Sequence, residues 1–142
     1  MKTLIIASGY FNPLHIGHIE YLNLAKSLGD ELFVIVNNDL QRELKGSKFF
    51  FNEIERECII LNLKSVDFTI ISLDTDRSVV KTIEFIFTRF KSSHKIVFVN
   101  GGDQFFDNSP EKAICDKLGI SLIDGLGKKI QSSSQILKRI SG

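Results

Sequence analysis

Short apolar runs alternate along the chain with longer stretches in which apolar residues recur every three or four positions. The two periods mark strands and helices respectively. Runs rich in Ile, Val and Phe predict buried strands over 3–8, 31–36, 68–73 and 95–100, with a weaker one over 120–123 after Gly119. Short runs of this kind, bounded by turn or polar residues, fit parallel strands covered on both faces. Between them, Ile19, Leu22, Ala25 and Leu28 repeat at helical spacing. Asn52, with Glu55 three residues on, has the form of a capping box that opens a second helix. Val79, Ile83, Ile86 and Phe90 form the stripe of a third, with Ser78 as its cap. Ser109-Pro110 opens a fourth, serine as cap and proline at the first helical position, and Gly119 closes it. Ser132-Ser133-Ser134 would start a short last helix carrying Ile136, Leu137 and Ile140.

Strand alternating with helix predicts an α/β chain: a single three-layer domain over 1–142, with a parallel sheet of about five strands and right-handed crossovers. No internal repeat or linker divides it. The long polar connection over 37–48 is expected to lack secondary structure, as functional lids and disordered segments of that length do.

Composition changes this picture little. Of the 142 residues, 43% are hydrophobic and 25% charged, as in an ordinary globular protein. A formal net charge of +1 gives no field to steer the chain to nucleic acid or to a membrane surface, so neither is an expected partner. Cys58 and Cys115 share no metal-ligand spacing; both read as small buried side chains in a reducing cytoplasm. No apolar run reaches membrane-spanning length, and the run in MKTLIIASGYF is too short for a signal-peptide core.

The candidate chemistry is concentrated in Gly9-Tyr10-Phe11-Asn12-Pro13-Leu14-His15-Ile16-Gly17-His18, between the first strand and the first helix. Ligands of open α/β sheets bind outside the carboxyl ends of the strands, and a helix amino terminus there suits phosphate. Gly9 is expected to let the chain turn tightly, and Gly17 to let a ligand approach the backbone. His15 and His18, three apart, would share one face of the first helical turn. Two imidazoles aimed at one point suit a polyphosphate. A zinc site is not supported, since no Cys is near and Glu20 would lie off that face.

With these residues in view, the chain resembles the cytidylyltransferase-like nucleotidyltransferases, whose signature is HxGH and whose fold is Rossmann-like. Lys45 stands where that family keeps a lysine for the triphosphate. Glu55-Arg56 and the run to Val66-Asp67 resemble the family's helix before its third strand. Asn100-Gly101-Gly102-Asp103 is similar to its glycine-aspartate loop, and Ser132-Ser133-Ser134-Gln135-Ile136 to its C-terminal motif. Tyr10 and Asn12 depart from the usual Thr or Cys and Asp, and Gln131 and Lys128 replace a hydrophobic residue and an Arg. The small members it resembles are glycerol-phosphate cytidylyltransferases, heptose-phosphate adenylyltransferases and archaeal FAD synthetases.

The resemblance implies transfer of CMP or AMP from CTP or ATP to a phosphorylated small molecule, with release of pyrophosphate and magnesium on the nucleotide. It implies catalytic roles for His15, His18 and Lys45. It implies nucleotide contacts from Gly9, Tyr10, Phe11, Asn12, Gly17, Gly102, Asp103, Lys128, Ser132, Ser133 and Ser134. Arg77 reads equally as a contact to the acceptor's phosphate or as a surface ion pair with an adjacent Asp. Phe49-Phe50-Phe51 reads as core or subunit contact, and a homodimer is implied. Two rivals remain in view. Amino-acid activation shares the HIGH motif but needs a longer, more basic chain. A non-catalytic nucleotide-binding domain of the same fold would bind an NTP without turnover.

Overall fold

The computed structural model describes residues 1–101 and 109–127. Their element order is β1 (Lys2–Gly9), α1 (Ile16–Ser27), β2 (Glu31–Val36), α2 (Asp39–Lys45), α3 (Glu53–Leu61), β3 (Phe68–Ile71), α4 (Val80–Phe90), β4 (His94–Gly101), α5 (Pro110–Leu118) and β5 (Ser121–Leu126). The five strands form one sheet in the order β3-β2-β1-β4-β5, and every neighbouring pair is parallel. The expected α/β architecture is therefore observed. Its chain reverses direction across the sheet between β1 and β4, and at such a switch point the connections diverge and leave a crevice.

Alternation along the strands divides the core into two layers. Leu4 and Ile6 of β1 face Ile83 and Ile86 of α4 and Ile114 of α5. Ile5 and Ala7 face the other way, toward Leu22 and Ala25 of α1 and Ile60 of α3. Each of these apolar side chains is at least nine-tenths buried, and the larger ones each contribute about 1.5–3 kcal/mol by leaving water.

The helix ends show where local signals held and where they failed. Asn52 and Glu55 form the expected capping box on α3, and Ser109 caps α5 ahead of Pro110. Ser78 does not cap α4. The cap position is Val79, whose apolar side chain can accept no hydrogen bond. The orphan N–H groups go to distant carboxylates instead: Lys81 and Thr82 donate to Asp74 at 2.8 and 3.0 Å, and Val79 donates to Glu111 at 3.0 Å. β3 correspondingly stops at Ile71, short of the expected end, because Ser72–Asp74 turn away to serve this helix.

The connection over 37–48 is not structureless. It holds α2, seven residues long, with a capping box made by Asn38 and Gln41 at its start and Gly46 in the left-handed conformation at its end. α2 and α3 also cap each other. Asp39 N–H donates to the Glu53 carboxylate at 2.8 Å, and Glu53 N–H donates to the Asp39 carboxylate at 3.2 Å.

Cys115 is buried, but Cys58 is exposed, because the inward stripe of α3 is Arg56 and Ile60 and position 58 falls on the opposite side. Phe49, Phe50 and Phe51 are not core; they are 59%, 53% and 36% exposed. The last predicted helix lies outside the described residues. Among those residues, no helix is long and apolar enough to cross a membrane.

Candidate active site

A cavity of about 840 Å³ opens at the carboxyl ends of β1 and β4, at the switch point. His15, His18, Lys45, Arg77, Gly9, Tyr10, Phe11, Asn12 and Gly17 all line it, so every candidate residue within the described part of the chain comes together there. Gly102, Asp103, Lys128, Ser132, Ser133 and Ser134 lie outside the described residues. Asn37, Ser47, Tyr21 and Glu111 also line the cavity, and no local pattern singled them out.

The two histidines are built into the start of α1. His15 is the N-cap residue, and its Nδ1 accepts the Gly17 N–H at 3.0 Å. His18, three residues on, accepts the His15 N–H on its own Nδ1 at 3.1 Å. The pair thus forms a capping box with imidazoles in place of the usual hydroxyl and carboxylate. The rings stack with centroids 3.8 Å apart. An Nδ1 that accepts a backbone N–H carries no proton, so each neutral ring holds its proton on Nε2, as a donor. Burial lowers the pKa of His18 to about 4, helped by the neighbouring His15 and Lys45. Burial also lowers that of His15. At neutral pH the site therefore presents neutral N–H donors rather than imidazolium charge.

The preceding loop is shaped by Phe11. Phe11, not Gly9, takes the positive φ of the turn, at 50°. Gly9 is required for a different reason: a Cβ there would lie 2.8 Å from the Phe11 ring. That ring is buried and meets His18 edge-on at 5.2 Å, so it backs the imidazole from behind. Asn12 binds the chain itself. Its amide donates to the Lys48 carbonyl at 2.6 Å and accepts the Phe50 and Phe51 N–H groups at 3.3 and 3.4 Å.

Positive charge comes from two other connections. Lys45 is the last residue of α2, and its Nζ sits 4.4 Å above the Tyr10 ring, a cation–π contact. Arg77, in the β3–α4 connection, faces the Tyr10 hydroxyl; burial nonetheless leaves the pKa of that hydroxyl raised. Arg77 is exposed and lines the cavity. Among the described residues that line the cavity, Glu111 is the only carboxylate, and it accepts the Val79 N–H.

Arg56 ties these parts together, and only its neighbourhood in a motif had drawn attention to it. Its side chain is fully buried, and it donates to the carbonyls of Tyr10 (2.9 Å), Asn37 (2.6 Å) and Phe51 (3.0 Å) and to the Asp39 carboxylate (2.8 Å). One guanidinium thereby joins the β1–α1 loop, the end of β2, the start of α2 and the segment before α3. The available signal was an arginine in the inward stripe of a helix, four residues before Ile60.

The chain is similar to known proteins in sequence and in fold. The profile described as cytidylyltransferase-like matches residues 6–122. The chain is 36% identical to the FAD synthase of Picrophilus torridus, covering 96% of this chain and 94% of that one. It is 31% identical to the bifunctional protein HldE of Syntrophotalea carbinolica, where the match spans 98% of this chain but only 27% of HldE. Among solved structures, the lipopolysaccharide core biosynthesis protein of Thermoplasma volcanium superposes with a TM-score of 0.69 at 32% identity, over 90% of this chain and 98% of that one.

Proposed function

The chain belongs to the cytidylyltransferase-like family and is a nucleotidyltransferase, and from that premise we propose that it transfers AMP from ATP to FMN. The observation that carries the reading is the convergence of two neutral Nε2 donors and two cations on one cavity at the sheet's switch point. Likeness to FAD synthases over nearly the whole chain supports ATP and FMN over CTP and a polyol phosphate.

In this reading an FMN phosphate oxygen attacks the α-phosphorus of ATP in line. The new P–O bond forms as the bond from the α-phosphorus to the β-phosphate oxygen breaks, and pyrophosphate leaves with that bonding pair. Such transfer depends on positioning and charge stabilisation. His18 and His15 donate Nε2–H to phosphate oxygens as charge redistributes. Lys45 leaves the Tyr10 ring to meet the departing pyrophosphate, and Arg77 holds the acceptor's phosphate through its planar fork. Gly102, Asp103, Lys128 and Ser132–Ser134 keep the roles that family resemblance implies, toward the nucleoside and the β and γ phosphates.

The nucleotide is taken as its magnesium complex. The ion would be held mostly by phosphate oxygens and water. The exposed Phe49, Phe50 and Ile54 fit a homodimer, and free cysteines fit a reducing cytoplasm.

The test is a thermal melt with each of ATP, CTP, GTP and UTP plus magnesium, followed by pyrophosphate release with ATP and FMN. Ligand at a hundred times its dissociation constant stabilises the native state by about 2.7 kcal/mol, enough to read as a melting shift. A shift with ATP and FMN-dependent pyrophosphate release are expected. A shift without release for any phosphorylated acceptor would leave the non-catalytic binder standing instead.

A further inference from the structure

We propose that Gln41 is a positioning residue that sets Arg77 against Lys45 across the cavity, an inference that rests on the transferase reading above. The Gln41 side chain is fully buried, and its amide makes four hydrogen bonds. Its Oε1 accepts from the Asn37 side chain at 3.0 Å and from the Asn38 N–H at 2.9 Å. Its Nε2 donates to the Asp76 and Ser78 carbonyls, both at 2.8 Å. The acceptor end therefore belongs to the β2–α2 junction and the donor end to the β3–α4 connection.

The two carbonyls it holds flank Arg77 on either side, so Arg77 is gripped through its own backbone neighbours. Lys45 lies four residues beyond Gln41, one turn along α2, and extends from the same helix that Gln41 anchors. The two cations thus stand at opposite ends of one rigid link, with Tyr10 between them. Lys45 contacts the Tyr10 ring, Arg77 faces its hydroxyl, and that hydroxyl donates to the Gln41 carbonyl at a long 3.4 Å. Both cations are exposed side chains of high rotamer freedom, so their backbones fix where their charge can reach. A reaction between two anions needs those anchor points held at a constant separation.

Gln41→Glu tests this selectively. Glu keeps the two acceptor contacts and is itself favoured at that position of a capping box, so α2 is preserved. Of the two donor bonds to the Asp76 and Ser78 carbonyls at most one survives, because a buried carboxyl facing two carbonyls takes up a proton and its single O–H reaches only one of them. The expected result is a KM for FMN raised about tenfold, with the affinity for magnesium-ATP within about twofold of wild type. Amide hydrogens of 76–80 should exchange about tenfold faster while those of α2 keep their protection. Adding Gln41→Glu to Arg77→Ala should raise the FMN KM no further than Arg77→Ala alone. KM does not depend on the folded fraction, so lost stability would not imitate this signature.

The proposal is overturned if the FMN KM is unchanged, if exchange over 76–80 is unchanged, or if the two substitutions add independently. Should Gln41→Glu fail to fold, Gln41→Met, which loses the acceptor contacts as well, is read on the FMN KM and on its non-additivity with Arg77→Ala and not on the protection of α2. Failure of both variants to fold would also overturn it, since Gln41 would then serve the fold rather than the site. A wild-type protein without FMN turnover would refute the acceptor reading instead, and the exchange measurement would still decide the case for Gln41.

Discussion

His15 and His18 satisfy the first turn of α1 with their Nδ1 atoms and turn their Nε2 atoms outward, each ring accepting one backbone N–H at 3.0–3.1 Å. Capping and the proposed chemistry thus use opposite edges of the same imidazoles, so substitution can separate them. His18→Asn places an oxygen near the Nδ1 position and removes the Nε2 donor; His18→Gln places an amide nitrogen near Nε2. Turnover should fall roughly a hundredfold or more in His18→Asn, as when a transition-state donor is removed, and less in His18→Gln. Melting temperature should change little in His18→Asn. Near-normal kcat in His18→Asn would remove His18 from the chemistry.

The lowered pKa of His18 links the site to acid stability. In the unfolded chain this ring takes a proton near pH 6.5, in the folded chain only near pH 4. Between those values the unfolded state holds the extra proton, so stability falls as pH drops through that window and is complete above it. His15 acts in the same direction. Melting temperature of the wild type should therefore decline between pH 6.5 and 4 more steeply than that of His18→Asn. Activity should not rise as pH falls toward 6.5, because the neutral ring is the donor. An activity that increased on protonation would contradict this assignment.

Arg56 is the buried charge on which the site's geometry depends. Arg56→Met would leave three carbonyls without this donor and the Asp39 carboxylate with only the Glu53 N–H. The expected loss is about 3–5 kcal/mol, from three carbonyls that lose a charged donor rather than from the one-third-exposed Asp39 charge, read from the midpoint of urea unfolding. Arg56→Lys retains charge but not the fork and should recover only part of it. A loss below about 1 kcal/mol would show that water replaces the network.

Gly9→Ala addresses the loop from its tightest point. The added Cβ would meet a ring that is buried and already set on a positive-φ backbone, leaving it no easy retreat. Overpacking of this kind costs about 1–3 kcal/mol, and the displaced ring would carry His18 with it. Both melting temperature and kcat should fall. A variant that lost stability but kept full kcat would mean that Phe11 does not set the position of His18.

Much of this organisation was legible in the order of residues along the chain. The capping box at Asn52, the Ser109-Pro110 start and the histidine pair are features within a few neighbouring residues, and each was found where expected; the strand and helix periods placed the elements, though β3 ends early and Ile19 and Leu28 of the first stripe are exposed. α2 escaped notice because it is only seven residues long and lies in a polar connection; its apolar pair Leu40 and Leu44 is exposed, it buries only Gln41, and its caps define it instead. Ser78 was misread as a cap because the acceptors that serve α4 come from Asp74 and Glu111, and Glu111 lies 32 residues from Val79. Gln41 and Arg56 could not be read as organisers at all. Their partners are up to 37 and 46 positions distant, and an amide or a guanidinium in a polar stretch shows nothing of its partners until the chain is folded.

The amino-acid order thus carries what short-range physics controls: the period of burial, the turn residues, the helix ends and the pair of imidazoles at a strand-to-helix junction. Which connections meet is a different matter. It follows from the strand order β3-β2-β1-β4-β5, which brings the ends of β1, β2, β3 and β4 to one edge of the sheet. That order is set by crossovers and two packed layers summed over the whole chain. Only after it forms do Lys45, Arg77 and His18, separated by many residues, share one cavity.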